Sequence, residues 1–288
     1  MEEIRKLYKI VWPEGKDRAF TMSYDDGIRQ DARLISLMNK YGIKGTFNIN
    51  SGKFGLENNF TLFGKTVDTS TFSAEEIPEV YKGFEISTHG VTHSSLMNIG
   101  ALAVTEIAED RKALEKITGT IVQGHAYPYG RYDEGTKNIL RACGIRYART
   151  ITSTHNFELP DDFLEWNPTC HHTEECMMEL GKQFCERHPM LAKNPMLFYL
   201  WGHTYEFDQF DNWNIIEEFL AYIAQYKDSI WFASNIEIYR YIQASRQLEF
   251  SADGTAVYNP TSTEIWFDAA VFGTGKIVRL RPGETTVL

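Results

Sequence analysis

The chain has 288 residues, 43% of them apolar and 24% charged, proportions that exclude a disordered or fibrous chain and leave room for one or two domains with a real core. Lys and Arg number 29 against 39 Asp and Glu, so the net charge of −10 excludes the basic footprint of a nucleic-acid or anionic-membrane binder. No apolar run approaches the ~18 residues of a membrane span, and Met1–Lys6 shows no apolar signal segment, so the expected location is cytoplasmic.

The predicted elements alternate. Arg18 to Tyr24 reads as a strand, and Asp31 to Tyr41 as a helix with Leu34, Leu37, Met38 and Tyr41 on one face and Gly42 just past its end. Ile43 to Ile49 and Phe84 to Thr88 are the next strands. A helix within Ala101 to Thr118 is stopped by Gly119. There follow a strand near Ile121 to Tyr127, a helix over Glu134 to Cys143 and a strand over Ile145 to Ile151. After a less regular stretch come the apolar strand Met196 to Trp201, a helix carrying Ile216, Phe219, Leu220 and Ile223, and a last strand, Ile230 to Ala233. Such alternation predicts a parallel α/β sheet, open or closed into a barrel.

Two regions depart from it. Ser51 to Ser73 is long, polar and rich in Gly, Asn and Thr, and reads as an insertion beside a site. From Arg246 onward no helical period survives. Asp253-Gly254 predicts a tight hairpin, and Glu264 to Phe267 and Lys276 to Leu280 predict short strands. The expected division is a domain over residues 1–245 and a small β appendage over 246–288. Cys143, Cys170, Cys176 and Cys185 have no CxxC spacing and are expected to be reduced thiols. The Cys/His run from Cys170 to His188 matches no zinc-ligand spacing, and Gly273-Thr-Gly275 reads as a turn.

Four motifs fall at carboxyl ends of predicted strands, where α/β proteins bind ligands. Ser23-Tyr-Asp25-Asp26-Gly27 puts two adjacent carboxylates at the end of an apolar strand, with Gly27 beginning a turn. Along a regular strand the two would face opposite sides. His89-Gly-Val-Thr-His93 follows the strand ending at Thr88, and its four-residue spacing lets two imidazoles converge. A carboxylate and two histidines from one rim make a metal site with open positions, the description also of non-haem iron oxygenases. Ala126-Tyr127-Pro128-Tyr129-Gly130 makes a sharp turn after the next strand, and His203 follows Leu200-Trp-Gly.

Taken together, in this order, these motifs resemble those of the polysaccharide deacetylase (NodB-homology) family, carbohydrate esterase family four, over about residues 18 to 235. The resemblance implies a distorted (β/α) barrel of about seven parallel strands and a divalent metal, usually zinc. It implies Asp26, His89 and His93 as metal ligands, Asp25 as catalytic base and His203 as catalytic acid. The expected activity is hydrolytic removal of acetyl groups from sugars or oligosaccharides. The backbone N–H of Tyr129 is then expected to stabilise the oxyanion, and Tyr127, Pro128 and Trp166 to contact the substrate. Two departures stand out. The arginine that supports the base in this family is Ala126 here, which leaves room for a catalytically silent carbohydrate-binding member. The segment that orients the catalytic histidine has only Asp161–Trp166 as a nearby candidate, and that segment is left unassigned.

Overall fold

The computed structural model describes residues 9–186, 195–268 and 277–288. One sheet contains eight strands: β1 (Arg18–Asp25), β2 (Thr46–Ile49), β3 (Glu85–Thr88), β4 (Gly124–Ala126), β5 (Tyr147–Arg149), β6 (Cys170–His171), β7 (Met196–Gly202) and β8 (Ile230–Phe232). Every pairing in it is parallel. Strands β1 and β7 are buried over their whole lengths, which is why they read as near-continuous apolar runs.

Seven strands curl round in the order β5-β4-β3-β2-β1-β7-β6. The last seam is a single strip of chain that changes partner. Trp166 bridges Arg149 of β5, and Cys170 and His171 pair with Leu200 and Trp201 of β7. This is the distorted barrel the sequence predicts. Strand β6 fell in the irregular stretch, because a two-residue strand has no readable period. Strand β8 lies outside the ring. It pairs with the first half of β1, Ile230 opposite Arg18, and so leaves β2 only the second half, Ser23 opposite Thr46.

Helices α1 (Asp31–Tyr41), α2 (Leu102–Thr118), α3 (Glu134–Ala142), α4 (Met177–Glu186), α5 (Tyr205–Gln209), α6 (Trp213–Ala224) and α7 (Asn235–Ser245) follow the strands. Leu34 and Met38 of α1 are fully buried with Phe20, Phe198 and Phe219, and burying such a side chain contributes about 1.5–3 kcal/mol. Gly42 ends α1 in the left-handed region, φ 66°, with its N–H on the carbonyls of Asn39 and Met38. Among the described residues no helix is long and apolar enough to cross a membrane, and all four cysteines are free thiols.

The Ser51 to Ser73 insertion holds an antiparallel hairpin, Asn59–Leu62 with Lys65–Asp68. It rests on the rim through Gln209 Nε2 on the Leu62 carbonyl (2.9 Å) and Gln30 Nε2 on the Asp68 carbonyl (2.6 Å). In the tail, Asp253-Gly254 sits in a hairpin, as predicted, but not a two-residue one. Phe250 pairs with Val257, and the intervening loop is organised by Asp253 Oδ1, which accepts from Ser251 and Thr255. Ile265–Asp268 pairs with the N-terminal strand Lys9–Val11 and with Ile277–Leu280. Ile265, Phe267, Val278 and Leu280 pack in one buried cluster with Trp12, Tyr147, Trp166 and Tyr199. His188, Gly273, Gly275 and Lys276 lie outside the described residues.

Candidate active site

Asp25 is the last residue of β1 and is buried. Asp26 follows in the left-handed region, φ 77°, with its N–H on the Asn48 carbonyl (2.9 Å). That turn cancels the alternation of a strand and brings two neighbouring carboxylates to the same rim. His89 ends β3. Its backbone N–H donates to Asp110 Oδ2 (3.0 Å), and Asn50 Nδ2 donates to its carbonyl (2.6 Å). His93, φ 64°, comes back over it, the two rings meeting edge to face with centroids 4.6 Å apart.

These side chains converge. Asp26 Oδ1 is 3.9 Å from His89 Nε2 and 3.7 Å from His93 Nε2, and the three offer one ligand atom each toward a common point. His89 Nδ1 lies 2.8 Å from the Ala126 carbonyl, an acceptor, so Nδ1 carries the ring proton and Nε2 is left with a lone pair. That Nε2 is buried without a hydrogen-bond partner, as is Asp26 Oδ1. Burial lowers the His89 imidazole despite the Asp25 and Asp26 charges, and burial with His89 alongside lowers His93 to about 4. Both rings are therefore neutral at neutral pH, the form a metal ion binds. The donor set fits a divalent cation.

Arg149 supplies the support that Ala126 lacks. It is the register partner of Ala126 across β4 and β5, so the guanidinium reaches the barrel interior one strand further round. It is buried, donates from Nη2 to Asp25 Oδ2, donates from Nη1 to the Thr150 carbonyl (3.1 Å) and lies over the Trp201 ring at 4.3 Å. Asn48 Nδ2 donates to Asp25 Oδ1 (2.7 Å). Burial alone would raise the Asp25 carboxyl; Arg149, then His89, His203 and the Asn48 bond, override it and hold the group well below the carboxylate range.

His203 follows β7, with Nε2 3.8 Å from Asp25 Oδ2. Its backbone N–H donates to Glu206 Oε2 (2.9 Å), which is 3.3 Å from Nδ1. Burial would lower this imidazole; Glu206, with Asp25 and Asp26, raises it to about 9. Asp161–Trp166 does not supply this carboxylate, since Asp162 is engaged with the Leu164 N–H and Lys137.

Tyr129 has φ 59°, is largely exposed, and sets its ring edge to face on His93 at 4.7 Å. Tyr127 and Trp166 correct the sequence reading: both are 1% exposed. Tyr127 donates its hydroxyl to the Leu164 carbonyl (2.8 Å), and Trp166 packs on Tyr147, Phe163 and Tyr199. Their rings build the core rather than a sugar platform. Pro128 is buried as well and serves the turn. The aromatics at the rim are Tyr129, Tyr205 and Phe60; the last two meet edge to face at 5.7 Å and line, with Asp26 and Lys53, a cleft of about 270 Å³ under the insertion.

Sequence reasoning passed over Arg149, Glu206, Asn48 and Asp110. Arg149 left only a partial signal, as one of two arginines in the strand-like run Ile145 to Ile151, and Glu206 stands three residues after His203.

Residues 13–148 match the polysaccharide deacetylase family. The chain carries a polysaccharide deacetylase domain. Two solved structures share the fold. A Mycobacterium smegmatis protein assigned to the polysaccharide deacetylases has 17% identity and a TM-score of 0.57, covering 83% of this chain and 94% of its own. A peptidoglycan N-acetylglucosamine deacetylase, bound to an N-hydroxybenzamide, has 12% identity and a TM-score of 0.51, covering 82% and 94%. No curated protein matches the chain by sequence. At these identities the structural likeness of the deacetylase domain is one of fold, so its chemistry rests on the side chains themselves.

Proposed function

We propose that the protein is a metal-dependent deacetylase acting on N-acetylated sugars or short oligosaccharides, with Asp26, His89 and His93 holding the metal. Two neutral imidazoles and one carboxylate suit zinc. The observation that carries this reading is the buried lone pair of His89 Nε2, facing Asp26 with no partner in the protein. When bound, the cation supplies a Lewis acid for the acetyl carbonyl and lowers the pKa of a water.

The remaining steps belong to the chain. Asp25, kept ionised and aimed by Arg149 and Asn48, takes a proton from the attacking water. The Tyr129 N–H donates to the developing oxyanion. His203, whose raised pKa keeps it protonated at neutral pH, gives its Nε2 proton to the departing nitrogen as the C–N bond breaks. The products are acetate and a free amine. An oxygenase reading leaves the Arg149–Asp25 pair and His203 without work, and a silent binding protein has no need of them.

Acetate release from chito-oligosaccharides by zinc-loaded protein, before and after chelation, tests the proposal. Release that chelation abolishes is expected. Absence of acetate from every acetylated sugar tried would overturn it.

A further inference from the structure

Glu206 Oε2 gathers more than one imidazole. Besides His203, it lies 3.2 Å from His171 Nε2 and 3.5 Å from His172 Nε2. The His171 ring meets Trp201 edge to face at 4.5 Å and lies 6.2 Å from the His203 ring. His171, His203 and Glu206 are also spaced to hold a metal ion, so the cluster has two opposed readings.

The tautomer of His171 decides between them. The backbone N–H of Thr173 points at His171 Nδ1 (3.2 Å), and the Thr173 hydroxyl is 2.7 Å from the same atom. A backbone N–H only donates, so Nδ1 is the acceptor and Nε2 carries the ring proton. That proton faces Glu206 Oε2. A metal would need a lone pair there, and there is none. Similarly, a carboxylate only accepts, so His203 Nδ1 carries a proton toward Glu206, and Nε2 is the atom left for the reacting centre.

We infer that Glu206 is a positioning residue for His203 and that His171 acts through Glu206, clamping the same carboxylate oxygen that faces His203. The clamp fixes which nitrogen of His203 faces Asp25 and holds a negative charge beside the imidazolium. His172 is stacked between Tyr24 and Phe207 and packs behind the carboxylate. The inference rests on His203 being the acid of the proposed reaction, but its first test does not.

That test is an NMR pH titration of the His203 ring in metal-free protein. Glu206→Gln, which is isosteric, is expected to move the His203 midpoint down by roughly one pH unit or more. His171→Ala is expected to move it the same way by less. In the double variant, His171→Ala is expected to add almost nothing to Glu206→Gln, because its effect passes through the carboxylate. In acetate release, Glu206→Gln is expected to lower kcat, leave KM within about threefold, and shift the alkaline limb of the kcat/KM profile to lower pH. An unmoved His203 midpoint in Glu206→Gln, or full additivity of the two substitutions, would overturn the inference. So would a second metal equivalent that His171→Ala removes. If no acetylated sugar is turned over, the deacetylase proposal falls, and the titration still decides the role of Glu206.

Discussion

Arg149→Met tests the link between the buried base and its support. Arg149 is 1% exposed and Asp25 2%, so removing the guanidinium leaves a buried carboxylate with only Asn48 as a direct hydrogen-bond donor. Breaking such a pair by deleting one partner costs about 3–5 kcal/mol. At roughly 2–4 °C per kcal/mol for a chain approaching this size, the melting temperature is expected to fall by roughly 6–20 °C. The pH dependence has a definite sign. In the native protein the Asp25 pKa is depressed, so its contribution is present above the unfolded carboxylate pKa and is lost as pH falls through the folded value. In Arg149→Met burial dominates and the folded pKa rises above the unfolded one. The variant then carries its penalty at neutral pH and sheds it as acid protonates Asp25. Urea unfolding at pH 8 and pH 5 should therefore show a larger deficit at pH 8. The companion experiment moves the arginine one strand back. Because Ala126 and Arg149 are register partners, Ala126→Arg combined with Arg149→Ala is expected to recover part of the stability that Arg149→Ala loses. A deficit below about 1 kcal/mol that does not change with pH would refute the account of Asp25 given above.

Metal content, measured after equilibration at a series of pH values, should hold through the ordinary histidine range and fall only toward about 4, because His93 is protonated only there; a loss centred near pH 6.5 would contradict the buried trio. His89→Ala should lose the metal at every pH, by elemental analysis of the purified protein. Asp25→Asn keeps its shape but cannot take a proton, so turnover should fall by roughly 10² or more with metal content unchanged; loss of the metal instead would mean that the two carboxylates have exchanged roles. Tyr127→Phe removes a buried donor from the Leu164 carbonyl, so about 1–3 kcal/mol of stability should be lost in urea with KM unchanged; a raised KM at full stability would return Tyr127 to the substrate.

The chain order of strands and helices was legible because burial imposes a period. Leu34 and Met38 recur one turn apart, β1 and β7 are apolar throughout because both faces are covered, and Gly42 and Gly119 mark helix ends that need a left-handed residue. The pairs Asp25-Asp26 and His89/His93, with His203, were legible as well, since each stands at the carboxyl end of a strand that periodicity locates. Register was not legible. Whether Ala126 leaves the base unsupported depends on which residue lies across from it on β5, and a one-residue slip would have turned Arg149 out of the barrel. Burial of individual aromatics was equally hidden: Tyr127 stands inside a motif and Trp166 ends the Asp161–Trp166 segment, yet their rings point into the core, while Tyr205, two residues past His203, and Phe60, in the polar insertion, reach the rim. The protonation of His203 depended on contacts of the same kind. Composition and local pattern set what each segment becomes, but the charge state and aim of a buried side chain follow from the low-dielectric contacts around it, and those contacts exist only when β1, β5, β6 and β7 close around the same space.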